Sequence, residues 1–266
     1  MKGNHLIILA AALMLHSCST VPVTGRKQLK LLPNAQMQSM SASEYDNFLS
    51  QNTPLPDSDP QAQNIKKIGA DIAAATEKYL NENGYEGLVD DFDWTFNLVD
   101  DQTLNAWCMP GGRVVFYTGI LPVCKNNNGI AAVMGHEVAH AVARHGNERM
   151  SQQLAIQGAG MSLSTVLQEQ PELTHDLALQ AFGMGSQFGV LGYSRKHESE
   201  ADKMGLVFMA VAGYDPREAV KVWERMAELG GEQPPEFMST HPSHETRIDE
   251  LNAFMDEAMK YYQPNN

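Results

Sequence analysis

Polar and apolar positions along the chain change period several times, and each change marks an element. Ile65, Ile68, Ile72 and Tyr79 recur at helical spacing after "DP" at 59–60, where Asp59 can cap and Pro60 can occupy the first turn. That pattern predicts a core-facing helix running to the "NENGYEG" loop. Phe92, Trp94, Phe96 and Leu98 alternate with polar neighbours, which predicts a half-buried strand over 92–99. "TLNAWCM" and "RVVFYTG" flank "PGG" at 110–112 and predict a hairpin. A nearly continuous Ala/Val helix follows, started by "NNNG" and closed by Gly146.

Residues 150–192 are rich in Gly, Ala, Met and Gln without clean periodicity, and predict two helices with a mobile connection. A further helix is expected from about 194 to 212, ended by Gly213. "DPRE" at 215–218 starts another that reaches "GG" at 230–231, and "STHPSHETRIDELNAFMDEAMKYY" supplies a polar loop and a terminal helix. Residues 18–59, with "NTPLPDSDP" at 52–60, predict a tether holding one short helix at about 34–50. The catalytic body is then expected over 60–262, as an α+β, mostly helical domain with a small sheet. No internal repeat is apparent.

The start of the chain changes the picture of where this body works. "MKGNHLIILAAALMLHSCST" has one Lys, an apolar run from Leu6 to Leu15 and small residues before Cys18, the layout of a signal peptide over 1–17. "LHSC" resembles a bacterial lipobox, although His16 is unusual there, so Cys18 is expected to carry lipid. Ser19 in place of Asp favours sorting to the outer membrane, with the body on its periplasmic face. Setting Cys18 aside leaves Cys108 and Cys124, which either pair in that oxidising compartment or stay as buried thiols. A net charge of −13 argues against a nucleic-acid partner.

The candidate chemistry lies in "VMGHEVAHAVARHG". His136 and His140 are one helical turn apart, so both imidazoles can reach a single ion, and Glu137 stands one step round. This is the HExxH arrangement: two His ligate Zn²⁺ and the Glu takes a proton from the attacking water. His145 would fall on the opposite face of a continuous helix, and the chain has Ala143 and Gly146 where an extended three-histidine motif needs Gly and His. It is therefore expected to sit at the helix C-terminus and not to ligate. A carboxylate from a second helix is needed, and "HESEAD" at 197–202 offers Glu198 as ligand with Asp202 on the same face to orient a ligating His. Glu200 points about 160° away from Glu198 round that helix.

"NAWCMPGGRVVFYTGIL", "GHEVAHAVARHGNERMS", "YSRKHESEADKMGL", "GYDPREAV" and "STHPSHETRI" together resemble metallopeptidase family forty-eight, which includes the CAAX prenyl endopeptidases, the HtpX heat-shock proteases and periplasmic lipoprotein peptidases. The resemblance implies a gluzincin-type endopeptidase with one zinc per chain, ExxAD on Glu198 to Asp202, and an edge strand near Asn105 to Met109 that pairs with extended peptide. It implies functional places for His241 and Arg247 in and after the His-Pro loop, and for Asn105 before the hairpin. His241 would steady the oxyanion or serve as a fourth ligand that silences the resting enzyme, with His244 a rival for its place. Asn105 would hold substrate main chain or serve as a turn residue. Lacking the spanning helices of the prenyl and heat-shock branches, the chain is expected to be a lipid-anchored zinc endopeptidase cleaving misfolded or stalled envelope proteins. The competing reading is a chaperone-like holdase using the same cleft with little turnover.

Overall fold

The computed structural model describes residues 18–167, 180, 194–229, 241 and 246–264. Residues 1–17, where a signal peptide is expected, most of the 168–193 stretch, the "GG" at 230–231 and His244 lie outside the described residues. Strands β1 (Cys18–Thr20) and β2 (Lys27–Leu29) form an antiparallel hairpin, followed by helix α1 (Asn34–Gln51). Helix α2 (Pro60–Glu82) begins as its sequence dictates: Asp59 Oδ1 accepts from the backbone N–H groups of Gln61 and Ala62, with Pro60 in the first turn. Its Ile65, Ile68, Ile72 and Tyr79 are buried.

Strands β3 (Thr95–Val99), β4 (Ala106–Met109) and β5 (Arg113–Tyr117) form a sheet in the order β3-β5-β4. β3 runs parallel to β5, and β4 closes the predicted hairpin on β5 and occupies the edge. The strand expected over 92–99 is shorter than its alternation suggests. Asp93 and Thr95 donate their N–H groups to Gly111 and Gly112, so residues 92–94 run beside the turn. Gly112 has φ +85°, and a Cβ there would meet the Trp94 ring at 2.7 Å.

Helix α3 (Asn127–Val142) is capped by Asn126, whose side chain accepts from Gly129 N–H. Every residue from Gly129 to Val142 is buried, so this helix forms the centre of the molecule. It ends at Val142 rather than at Gly146. Arg144 adopts the left-handed conformation at φ +56°, and helix α4 (His145–Val166) starts in a new direction. Helix α5 (residues 194–211), then α6 (Arg217–Glu228) and α7 (Arg247–Met259), pack around it. The backbones of α3 and α5 nearly touch, since a Cβ on Gly205 would lie 2.9 Å from the backbone N of His136.

The segment expected to be a tether is joined to the body. Val21 is fully buried in the main core, and Met37 and Tyr45 of α1 are buried too. Its polar composition conceals these few anchors. No helix among the described residues is long and apolar enough to cross a membrane. Cys108 and Cys124 are free thiols, half-buried and buried.

Candidate metal centre

Helix α3 presents His136, Glu137 and His140 from within the core, and α5 presents Glu198 and Asp202 against them at the close approach of Gly205. His136 Nε2 lies 3.1 Å from His140 Nε2 and 3.2 Å from Glu198 Oε2, while His140 Nε2 lies 3.4 Å from Glu198 Oε1. His241 Nδ1 completes the group at 3.2 Å from His136 Nε2 and 3.1 Å from Glu198 Oε2. All four residues are buried. Two donors each about 2.0–2.2 Å from a tetrahedral ion stand about 3.3–3.6 Å apart, close to these separations. The donor set, three imidazole nitrogens and a carboxylate, is one that zinc accepts.

Most of the side chains around the four donors have a defined partner. His136 Nδ1 donates to Asp202 Oδ1 at 2.9 Å, which leaves Nε2 as the lone pair facing the site. Asp202 is held by Arg247 Nη2 at 2.7 Å, and that guanidinium lies 3.3 Å over the Trp223 ring and 3.5 Å from Glu198. Arg247, a suspected catalytic residue, thus reaches the site mainly through Asp202. Glu137 Oε1 is buried without a hydrogen-bond partner among the described residues, 3.4 Å from His241 Nε2. An orphaned acceptor beside a donor cluster fits a site built around an ion and an attacking water.

Electrostatics differ from group to group: against its burial, Asp202 and Glu198 raise His136 above the ordinary histidine value. Burial alone would raise the Glu198 carboxyl, but His140, His136 and His241 hold it well below the carboxylate range. Asp202 is likewise held low against its burial by Arg247 and His136. Glu137 lacks such support. Burial pushes it up to about 7, against the opposing pull of His241, with Glu198 adding to the rise. A carboxyl poised there can both take and return a proton. Burial drops His140 well below the ordinary histidine value, leaving it neutral as a ligand must be.

His145 corrects an expectation. The turn at Arg144 places it at the start of α4 and not at the end of α3, and swings its ring back under His140, Nδ1 to Nδ1 at 2.8 Å. Glu200, facing away from the four donors, accepts from His145 Nε2 at 3.0 Å. Arg26, Glu148 and His197, none of which stood out in the sequence, complete this second buried network. Glu148 follows His145 by three residues on one helix, a spacing that could have pointed to it. Asn105, 5% exposed, stands just before the edge strand, where its backbone carbonyl accepts from Tyr117 N–H. A cavity of about 250 Å³ lies between β4 and α3, lined by Met37, Phe92, Cys108, Met109, His140 and Arg144 among others.

The family described as Peptidase family M48 matches residues 64–255. The chain is similar to the mitochondrial metalloendopeptidase OMA1 of Saccharomyces cerevisiae, 34% identical over 220 residues that cover 80% of this chain and 61% of that protein. It is 29% identical to the human mitochondrial metalloendopeptidase OMA1 over 248 residues, 90% of this chain and 46% of the relative. The beta-barrel assembly-enhancing protease of Yersinia pestis is 26% identical over 160 residues, 58% of this chain and 33% of the relative. The chain therefore spans less than two thirds of the length of each of these relatives.

Proposed function

The chain belongs to peptidase family M48, a family of zinc metallopeptidases, and on that premise we propose that it is a lipid-anchored endopeptidase that cleaves misfolded or stalled proteins of the bacterial envelope. The observation that carries the chemistry is the convergence of His136, His140 and Glu198 donors at 3.1–3.4 Å beside Glu137 Oε1, which has no hydrogen-bond partner among the described residues. Zinc held there supplies Lewis acidity toward water and the scissile carbonyl. Glu137 Oε1 takes the proton of the attacking water and returns it to the leaving amine. The edge strand β4 pairs with extended peptide, with Asn105 at its head holding main chain, and the adjoining cavity receives a side chain next to His140.

His241 acts as a latch in this reading. Its Nδ1 stands where a fourth ligand would, and its Nε2 faces Glu137, so the ring blocks substrate while it stays there. Arg247 keeps Asp202, and through it His136, in place.

The lipid anchor rests on Cys18 in "LHSC", and the outer membrane on Ser19 after it. The relative named for enhancing β-barrel assembly is in keeping with envelope substrates, whereas the OMA1 relatives are named as mitochondrial. Purified full-length chain, given an unfolded polypeptide, should cleave it with one zinc bound. Chelator should abolish cleavage, and Glu198→Ala should lose both metal and activity. A Cys18→Ser chain in cells should be released from the membrane fraction. Binding of the polypeptide without cleavage by the zinc-loaded wild type would favour a holdase instead.

A further inference from the structure

The two candidate ligand histidines of α3 each pass their second ring nitrogen to a largely buried chain that ends on an arginine. For His136 the chain is short: Asp202, then Arg247. For His140 it is longer: His145, then Glu200, then Arg26 in the turn between β1 and β2. We propose that His145, Glu200 and Arg26 are positioning residues for His140, and that docking of the N-terminal hairpin thereby sets the geometry of the metal site. The inference rests on the zinc reading above.

The hydrogen-bond directions follow from one requirement. If His140 offers the Nε2 lone pair to an ion, its Nδ1 carries the proton and donates to His145 Nδ1. His145 then accepts at Nδ1 and must carry its own proton on Nε2, where Glu200 Oε2 receives it at 3.0 Å. The same Glu200 oxygen also accepts from Arg26, whose Nε and Nη2 donate to it at 3.0 and 2.7 Å. The Thr24 hydroxyl donates to the other oxygen. Every step has one donor and one acceptor, so the tautomer of His140 is determined from the hairpin inward.

The backbone is shaped to make this contact. On a continuous helix His145 would lie about 140° round from His140, out of reach. The left-handed Arg144 brings the ring back, in a region that non-glycine residues enter only under strain. Its guanidinium donates to the Leu88 carbonyl at 2.8 Å, which helps hold the turn. His145 is fully buried, so its ring is fixed by these partners. Arg26 also bridges Glu148, at 2.9 and 2.7 Å, so its removal would leave two buried carboxylates sharing no guanidinium.

The test reads metal binding rather than catalysis. Zinc affinity of the folded full chain is measured by competition with a chromophoric chelator, and the site's symmetry by the visible absorption bands after cobalt(II) substitution. His145→Ala should weaken zinc binding by about 10- to 100-fold and shift the cobalt bands. Arg26→Gln, changed at a half-exposed position well away from the metal, should move both readouts in the same direction, and Arg26→Lys should recover part of the loss. Val21→Ala, which trims core packing of the same hairpin and keeps Arg26 on Glu200, should lower Tm while leaving the cobalt bands in place. Zinc affinity within twofold and unchanged bands in both His145→Ala and Arg26→Gln, beside a wild type that binds one zinc, would overturn the relay alone. So would an equal band shift in Val21→Ala. A wild type that binds no zinc would remove the zinc reading and the relay with it.

Discussion

Nδ1 of His136 lies 2.9 Å from Oδ1 of Asp202, and the same oxygen accepts from Arg247 Nη2 at 2.7 Å. Asp202 therefore fixes the ring of one candidate ligand while neutralising a buried guanidinium. Asp202→Ala should weaken zinc affinity by about 10- to 100-fold, measured by chelator competition. It should also cost about 3–5 kcal/mol of stability, since the buried Arg247 loses its 2.7 Å partner and keeps only Glu198 at 3.5 Å. Unchanged affinity would mean that His136 is oriented by other contacts.

Gly205 sets how closely the two ligand-bearing helices approach. A Cβ there would press on the His136 N at 2.9 Å and the Gly135 C at 3.0 Å, backbone atoms that cannot rotate aside. Gly205→Ala should separate α5 from α3, destabilise the fold by about 1–3 kcal/mol and weaken zinc binding because Glu198 moves with α5. Thermal melts with and without zinc separate the two effects. A variant with wild-type Tm and affinity would show that the helices have slack.

His241 bridges the donor cluster and the base, with Nδ1 3.1 Å from Glu198 and Nε2 3.4 Å from Glu137. As a latch, its removal should leave zinc bound and raise basal hydrolysis of unfolded polypeptide several-fold, with His244→Ala close to wild type. A drop of about 10²-fold in kcat with zinc retained would make it an oxyanion donor instead.

Glu148 supplies a pH signature. Hydrogen bonds from His197 and Arg26 outweigh its burial and lower its carboxyl from 4.5 to about 2. A depressed folded value means that the unfolded chain binds the proton more readily, so the stability from this group is present above about 4.5 and is lost as pH falls toward 2. Tm should decline over that window, and Glu148→Gln should lower Tm at neutral pH while flattening the decline. An equally steep decline in Glu148→Gln would assign the acid sensitivity to other carboxylates.

Much of the centre is written in short-range spacing. The i,i+4 pairs His136/His140 and Glu198/Asp202 follow from helical geometry, as does the hairpin around "PGG", and the structure brings these four side chains together. What spacing could not show is where a helix stops without a glycine. Ala143 and Arg144 look helical, so spacing puts His145 on the far face, whereas the left-handed Arg144 turns it beneath His140. The hairpin was hidden for a different reason. Its polar composition is that of a tether, and only long-range partners, Glu148 and Glu200 for Arg26 and the core for Val21, hold it to the body. Phe92 and Trp94 alternate like strand residues, yet the chain beside them bonds to the Gly111–Gly112 turn.

The most direct measurement concerns Glu137, which lies beside the four donors and is not one of them. Zinc content and hydrolysis of unfolded polypeptide should be determined together for wild type and Glu137→Gln. The substitution removes the proton acceptor and keeps the side chain's shape, so the variant should hold one zinc per chain while hydrolysis falls by about 10²- to 10⁴-fold. Near wild-type cleavage by the zinc-loaded variant would contradict the assignment of Glu137 as the base.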